Sequence, residues 1–520
     1  MDQIRQPQGA ARYPATASQT WQGGASEHPR ERTLSHLMLH LLRAAFLALA
    51  LYGAGYGHEV YAWIFGILFV HTLLDSRFYL RPNLMEAYLL FTVVFYFHRY
   101  VMGWGAAITI FTDDAPNWVK VLKDLVWIAL VALVGSRALL RQRFDRRTPL
   151  WFTPRGVFLI VLMLIYLALP TLSFYLGRGS LFTIVLYDFR YPLEYVPFVF
   201  LFPFILRGQS SIRYLRFFIP LTIITLLFWA VEVFSGRRTG FGFGGIYSRY
   251  GSIFGSPNDY GMFLMLVLTA MLALLAEKAI RWSAKVIILM LLCLGALAAT
   301  ISLSAIFAMV FATTALMLFA GNKVKSVLTV IVIALFAAGL YFAFPRAGVS
   351  QYLTERIGNL GSLREGSAYQ HYRSVVDTEA AIEHFEPAEV LVGTFQSRDK
   401  VLLPETYYLR TLYLRGTFSL VTLLSIIALS VLEGYRRYRT ASGNPQRRGL
   451  FLAALIGVAA FAFGSLFIPY FDMFPSNFYF WFLVAIIWCE PEPSPMPKTK
   501  VPTLGRDPEW RSFLHRGPSL

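Results

Sequence analysis

The chain has 520 residues, of which 56% are hydrophobic and 15% charged, and its formal net charge is +17. Soluble domains carry about 25% charged residues, so this composition excludes an ordinary soluble protein and indicates lipid-facing surface. The two cysteines lie inside apolar stretches, which excludes a disulfide framework. The basic residues are scattered over many short loops, which argues against nucleic-acid binding and suits the anionic surface of a membrane.

The first segment, residues 1–33, is polar and basic and is predicted to be a disordered cytoplasmic tail. Its charged lead is too long for a cleavable signal peptide, and the apolar run that follows is long enough to span a bilayer. At ~20 residues per span, the chain holds about fourteen candidate spans. They lie near 37–56, 60–76, 84–111, 118–137, 156–176, 192–206, 215–234, 259–277, 284–301, 303–320, 325–343, 409–432, 449–468 and 475–489.

The fold class predicted from this pattern is all-α. It is a polytopic membrane protein of about 12–14 transmembrane helices with one large periplasmic loop. With the N-terminus inside, most arginine-rich loops also fall inside, as the positive-inside rule requires. The predicted organisation is transmembrane helices over 34–343 including an outside loop at 235–258, a large outside loop at 344–408, helices over 409–489 and a disordered cytoplasmic tail at 490–520.

The outside loop at 235–258 ends in a turn-rich stretch between two apolar runs, Ser256-Pro257-Asn258-Asp259. Asn258 or Asp259 is predicted to be the N-cap of the next helix. The N–H groups of a helix start suit an anion. Arg249 lies just upstream and can form a bidentate fork with phosphate.

The loop at 344–408 carries an ordered series of short motifs. An arginine precedes a predicted amphipathic helix, a Pro…Leu-x-Gly turn follows, and a carboxylate-x-x-Tyr-Leu stretch enters the next span. Together with Arg249, Gly251, Phe254 and Pro257-Asn258, this series resembles the signature of the O-antigen polymerase and ligase family of bacterial membrane glycosyltransferases. The resemblance covers roughly residues 245–425. Its loop motifs are Arg356-Ile357-Gly358, Tyr372-Arg373, Pro387, Leu391-Val392-Gly393, Glu405-Thr406-Tyr407-Tyr408-Leu409 and Gly416.

The resemblance implies a polysaccharide polymerase at the periplasmic face of the bacterial inner membrane, with both termini cytoplasmic. The donor would be a glycan on undecaprenyl diphosphate, whose good leaving group makes ATP and a nucleotide sugar unnecessary. Arginines could supply the charge stabilisation that a metal provides elsewhere, and no cofactor is implied. Membrane lipids and a chain-length regulator or other assembly proteins are the implied partners. The implied catalytic residues are Glu405 and His371, and those implied to bind the diphosphate or glycan are Arg249, Arg373, Arg356, Arg190, Asn258 and Tyr408.

Two positions depart from the family pattern. Many relatives carry Ser-Arg where this chain has Ser304-Ala305. Ligases typically carry a histidine where this chain has Glu405, which favours a polymerase over a ligase that transfers finished glycan to a lipid or protein. A transporter or lipid flippase is the rival class, but the chain shows no paired broken helices in repeated halves.

Each candidate also has a structural interpretation. Arg373 could pair with Asp377, and Glu405 could pair with Arg410 or Arg415. His371 could be an ordinary surface residue.

Arg190 and Glu194 flank Pro192 and could pair with each other, or they could line a cavity opened by proline kinks. The Gly-rich stretch 240–245 matches GxGxxG but lacks a βαβ context, so no nucleotide site is predicted there. Asp113 and Asp114 are interpreted as a solvated turn rather than a metal site.

Overall fold

The structure is a computed structural model that describes residues 148–175, 190–206, 211–235, 250–254, 256–320, 366–393, 406–473 and 476–492, with residues 40, 43–48 and 51. The chain divides into two compact units, Met1–Met85 and Glu86–Leu520. In the first, residues 43–48 are helical. All the helices named below belong to the second unit.

The described part of the second unit is entirely helical, and no strand occurs within it. The predicted all-α class is therefore confirmed for these ranges. The helices are α1 (Pro149–Phe152), α2 (Pro154–Tyr175), α3 (Arg190–Leu206), α4 (Ile212–Ser235), α5 (Pro257–Ala276), α6 (Ala284–Thr300), α7 (Leu303–Phe319), α8 (Gly366–Glu383), α9 (Pro387–Val392), α10 (Tyr407–Thr440), α11 (Pro445–Gly464) and α12 (Ser476–Cys489). Two 3₁₀ turns lie at Ser252–Phe254 and Tyr470–Asp472.

Three of the described helices, α5, α10 and α11, are long and apolar enough to cross a membrane. Shorter apolar stretches lie in α2, α4, α6, α7 and α12. Large apolar side chains are exposed in helical stripes, such as Phe418, Val421 and Leu432 on α10. Exposed apolar surface of this kind is a liability in water and suits contact with lipid tails. The described helices thus have the features of a helical membrane protein.

The N-cap of helix α5 lies two or three residues before its predicted position. Ser256 is the N-cap, and its side chain accepts a hydrogen bond from the Asp259 backbone N–H at 3.3 Å. Pro257 occupies the first helical position, where its fixed φ fits and its missing N–H costs nothing. The prediction that Asn258 or Asp259 caps the helix is therefore wrong, because both lie inside the first turn. Asp259 is itself an anion at the positive helix end, so the dipole already has a negative partner.

The predicted break between the spans at 284–301 and 303–320 is confirmed and is only two residues long. Ile301 adopts a left-handed conformation with φ 51°, which ends α6, and Ser302 precedes α7. The Thr300 hydroxyl donates to the Leu297 carbonyl and accepts from the Ser302 N–H, so the turn keeps its polar groups bonded. A β-branched residue at positive φ is strained, so the turn is held by its surroundings.

Helix α3 contains two internal prolines, Pro197 and Pro203. Phe198 and Phe202 are fully buried, and both rings pack against Phe482 of α12, the first tilted and the second edge-on. A proline leaves the carbonyl four residues before it without an N–H partner. That carbonyl for Pro203 belongs to Val199, and it accepts from the Cys489 thiol at 3.3 Å. Helix α12 therefore satisfies the group that the proline frees.

Helix α10 starts at Tyr407, two residues before the predicted span, and is broken at Gly416, where φ is 72°. The loop predicted at 344–408 contributes α8 and α9 to the described structure. The turn that ends α9 packs directly against this break. The Thr417 hydroxyl donates to the Val390 carbonyl at 2.8 Å, which fixes the two segments in register.

Contacts between helix termini define two opposite ends of the bundle. At one end, α10 begins beside the end of α11, where the Tyr407 N–H donates to the Ser465 carbonyl. At the other, here called the basic end, Tyr438 of α10 donates to Glu277 at the end of α5. The basic end also holds Arg436, Arg437, Arg439, Arg447, Arg448, Lys278, Arg281 and Lys285. The candidate site described next lies at the opposite end.

Candidate functional site

A buried arginine lies within α10, one residue before the helix break. The Arg415 side chain is 7% exposed. Its Nη1 donates to the Tyr166 hydroxyl at 3.1 Å and to the Tyr407 hydroxyl at 3.2 Å, and these two hydroxyl oxygens are 3.1 Å apart. Tyr166 lies in the middle of α2 and Tyr407 at the start of α10. Three polar groups from two helices thus converge between apolar surfaces.

A single carboxylate holds this arginine and a second one. Asp472 Oδ1 is 3.6 Å from Arg415 Nη2, and its Oδ2 is 3.1 Å from Arg410 Nε. The side chains of Arg410 and Asp472 are 17% and 16% exposed, so this edge of the group is the more accessible one. We call Tyr166, Tyr407, Arg410, Arg415 and Asp472 the arginine cluster. Ionisable residues at such positions in a membrane protein are functional candidates by default, although a purely structural network is the plain alternative.

A second polar group, the serine chain, consists of Asn258, Ser302, Ser304 and Tyr470. The Ser302 hydroxyl donates to Asn258 Oδ1 at 2.9 Å, so it can only accept from Ser304, whose oxygen is 3.1 Å away. The Tyr470 hydroxyl, 2.7 Å from Ser304, must then donate to Ser304. The hydrogen bonds therefore run in one direction, from Tyr470 to Asn258, and each strengthens the next.

The two groups meet at the three-residue turn Tyr470–Asp472. Tyr470 reaches the serine chain, Asp472 reaches the arginine cluster, and the Phe471 ring packs 4.8 Å from that of Tyr407. Beside them, the Ser476 hydroxyl donates to the buried Asp259 carboxylate at 2.6 Å. The turn after α11 is thus where the start of α5 and the start of α10 are joined.

Of the residues implied by the family resemblance, Arg249, Arg356 and Glu405 lie outside the described residues. Arg190 and His371 lie in α3 and α8, and their side chains are outside the described part of the structure. Arg410 and Arg415, the proposed structural partners of Glu405, are both paired with Asp472.

Arg373 lies on α8 with 63% of its side chain exposed, 3.7 Å from Asp377 one turn later. This is the structural pairing considered above, and an exposed pair of this kind contributes little to stability.

Tyr408 and Asn258 have local roles that the motif did not indicate. The half-buried Tyr408 donates its hydroxyl to the Ala462 carbonyl at 2.7 Å, which joins α10 to α11. The Asn258 side chain belongs to the serine chain. Both groups therefore contribute to helix packing, and neither is simply presented to a ligand.

The missing arginine at position 305 has a packing reason. Ala305 is fully buried, and a Cβ added to Gly261 of α5 would lie 2.9 Å from the Ala305 Cβ. The helices α5 and α7 thus approach too closely here for a long side chain. An arginine at 305 would require these two helices to separate.

The sequence reasoning missed Tyr166, Tyr470 and Asp472. A signal for Asp472 exists, because it is the only acidic residue between Glu433 and Glu490. Lone acids in apolar sequence merit attention. Nothing in the sequence near Tyr166 distinguishes it from the other 27 tyrosines of the chain's 28.

Comparison with protein-family models gives no match, and a search of curated proteins also gives none.

Proposed function

We propose that this protein is an inner-membrane polysaccharide polymerase. It transfers a glycan from an undecaprenyl-diphosphate donor to the hydroxyl of an acceptor sugar at the periplasmic face. The alternative, a ligase that transfers finished glycan to a lipid or protein, follows from the same resemblance. The proposal rests on the motifs at 249–261 and 356–416 and on one structural observation.

That observation is the turn Tyr470–Asp472, which joins the two motif segments. Asn258 of the first segment and Arg415 of the second, far apart in sequence, are connected through Tyr470 and Asp472. A polar network linking two otherwise apolar helices is costly unless its groups are satisfied, and here they satisfy one another. The arrangement supports a shared site at this end of the bundle.

The chemistry needs charge stabilisation at the diphosphate and a base for the acceptor hydroxyl. Arginine suits the first task, since a charge-assisted hydrogen bond contributes about 1.5–3 kcal/mol. We assign Arg249 and Arg373 to the diphosphate, with Arg356 and Arg190 as further contacts. We assign Arg415 and Arg410 as positioning residues. Tyr166 and Tyr407 hold Arg415 in place, so the site carries positive charge in a fixed orientation.

Glu405 is proposed as the base that accepts the acceptor's proton, with His371 as the second candidate. Because Glu405 precedes Thr406 directly, it belongs to the segment that leads into α10. When the hydroxyl oxygen attacks the anomeric carbon, the bond from that carbon to the diphosphate oxygen breaks. The hydroxyl proton passes to Glu405, and the diphosphate leaves with the bonding electrons.

The test is polymer formation by the purified full-length protein from lipid-diphosphate repeat units. Glu405→Gln keeps the side-chain shape and removes the base, so turnover should fall by about 10²–10⁴-fold with donor binding little changed. Glu383→Gln, on the exposed surface of α8, is the matched control. Wild-type turnover should persist in excess chelator.

Full turnover by Glu405→Gln would remove it as the base and move the role to His371. Absence of polymer from the wild type, together with transfer of finished glycan to a lipid acceptor, would establish the ligase instead.

The orientation can be tested separately with cysteines at two exposed positions, His384 and Ser442, which lie in the α8–α9 region and at the basic end. The native cysteines are buried and should not react. In intact spheroplasts, an impermeant thiol reagent should label His384→Cys and spare Ser442→Cys. The reverse pattern would place the arginine cluster on the cytoplasmic side.

A further inference from the structure

An apolar cavity of about 470 Å³ lies between α4, α5, α6 and α12. Its walls include Phe218 of α4, Met271 and Leu274 of α5, Leu289 of α6 and Leu483 of α12. The volume falls within the range of about 300–1,000 Å³ that small-molecule sites occupy. None of the residues of the arginine cluster or of the serine chain lines it, so it is separate from the candidate site.

The cavity has the depth of one membrane leaflet. Its wall on α5 extends from Phe263 to Leu274. At about 1.5 Å of rise per residue, this stretch is about 17 Å long. A bilayer's hydrocarbon core is about 30 Å thick, so the cavity reaches from the basic end to about the middle of the membrane. An acyl chain of a phospholipid has this reach.

Basic residues flank the lining residues at the basic end of the cavity. Ala279 and Ile280, which line the cavity, lie between Lys278 and Arg281, whose side chains are exposed. Lys285, one residue before the lining residue Val286, is also exposed. This end of the cavity is therefore flanked by positive charge.

Two further features suit a lipid headgroup at this end of the cavity. The exposed Gln446 lines the cavity where α11 begins, and its amide can donate to a phosphate or ester oxygen. Trp282 in the same loop is 47% exposed, as is usual for tryptophan at the level of the headgroups. The loop 278–285 thus combines charge, a donor and an interfacial aromatic ring.

We propose that this cavity is a binding site for one anionic phospholipid of the leaflet at the basic end. One acyl chain occupies the space between α4, α5 and α12, and the phosphate lies against the basic residues of loop 278–285. The inference goes beyond the proposed transfer reaction, which takes place at the other end of the bundle. It requires only that the chain spans a membrane.

The experiment uses the full-length protein in phosphatidylcholine vesicles that contain a trace of phosphatidylglycerol with a photoreactive acyl chain. Crosslinks should map to α4, α5, α6 and α12 beside the cavity, and a phosphatidylcholine probe should label these sites at least about tenfold less. Replacing Lys278, Arg281 and Lys285 together by Gln should reduce phosphatidylglycerol labelling about tenfold or more, because basic residues near a membrane attract anionic lipid.

A second variant tests the cavity itself. Ala270→Trp places an indole inside it and should abolish the crosslinks, whereas Ile288→Trp adds the same group at a position that is 55% exposed and should not. The triple Gln variant changes only exposed residues, so it remains informative if Ala270→Trp fails to fold.

Equal labelling by the two headgroups would overturn the proposal and leave only ordinary boundary lipid. Unchanged labelling in folded Ala270→Trp would also overturn it. So would displacement of the probe by a polyprenyl diphosphate but not by unlabelled phosphatidylglycerol, which would assign the cavity to the donor.

Discussion

Gly393 and Gly416 approach each other so closely that neither position has room for a side chain. A Cβ on Gly393 would overlap the Leu414 carbonyl, and one on Gly416 would overlap the Leu391 carbonyl and the Gly393 nitrogen. Both residues also have positive φ, 81° and 72°. The turn at the end of α9 therefore packs backbone against backbone on the break in α10, beside Arg415.

We expect Gly416→Ala to detach α9 from α10 and to lower the thermal midpoint of the purified protein sharply. The backbone of Gly416, with φ 72° and ψ 178°, is open essentially only to glycine and costs another residue about 1–3 kcal/mol, and the overlap adds to that cost. Gly443→Ala is the matched control, since Gly443 has φ 93° but no atom within 4 Å of its added Cβ. Equal losses in the two variants would show that the close approach contributes nothing.

Asp472 is expected to stabilise the fold through the two arginines that it joins. Asp472→Asn leaves Arg410 and Arg415 without this carboxylate. Breaking a fully buried pair costs more, but Asp472 is 16% exposed, so we expect a loss of about 1–3 kcal/mol. The double variant Asp472→Asn with Arg415→Gln should lose less than the sum of the two single changes. Thermal unfolding in detergent measures all three, and simple additivity would show that the ion pair is not coupled.

Gly261 should tolerate no side chain, because the added Cβ would meet Ala305, Ser302 and Thr300 at 2.9–3.2 Å. Gly261→Ala is therefore expected to cost about 1–3 kcal/mol, as overpacking does. Gly295→Ala serves as the control, because its Cβ would meet only Trp229 at 3.7 Å, an ordinary contact. With the helix propensity of alanine, this variant should be neutral or about 1 kcal/mol more stable. A stable Gly261→Ala protein would mean that α5 and α7 separate easily.

Substitutions of Arg373 distinguish a role in binding phosphate from a role in an exposed ion pair. Arg373→Lys keeps the charge and loses the planar fork, so a bidentate phosphate contact should weaken about 5- to 150-fold in rate or binding. Arg439→Lys, an exposed arginine at the basic end, should leave polymer yield unchanged. If Arg373→Ala also leaves polymer yield and length unchanged at normal expression, the only role of Arg373 is its ion pair with Asp377.

Apolar length was enough to predict the helices, because the described helices from α2 to α12 outside the α8–α9 region each correspond to a predicted span. The break at Ile301 was also predicted, since three polar residues interrupt two apolar runs there. The cap of α5 was misplaced because Asn, Asp and Ser all favour caps. Only the proline, which fits the first helical position, distinguishes Ser256 from its neighbours.

Only those residues of the candidate site that lie within a local sequence motif could be predicted. The resemblance directed attention to Asn258 and to the segment before α10, but the residues that join them are distant in sequence. Tyr166 and Asp472 contact Arg415 through tertiary packing, and sequence spacing does not indicate that contact. Ala305 shows the converse case, in which an expected arginine is absent because a neighbouring helix leaves no space.

The carboxyl end of α12 has a consequence for how the protein is made. Arg437 donates to the carbonyls of Ile487 and Glu490, and the buried Glu490 carboxylate accepts from the Ser211 backbone N–H and hydroxyl. During synthesis, Ser211 beside α4 and Arg437 of α10 therefore lack these partners until the residues at the end of α12 have been added to the chain. A nascent chain halted before Ile487 leaves Arg437 without these two carbonyls, so this part of α10 gains its hydrogen bonds only after α12 has been synthesised.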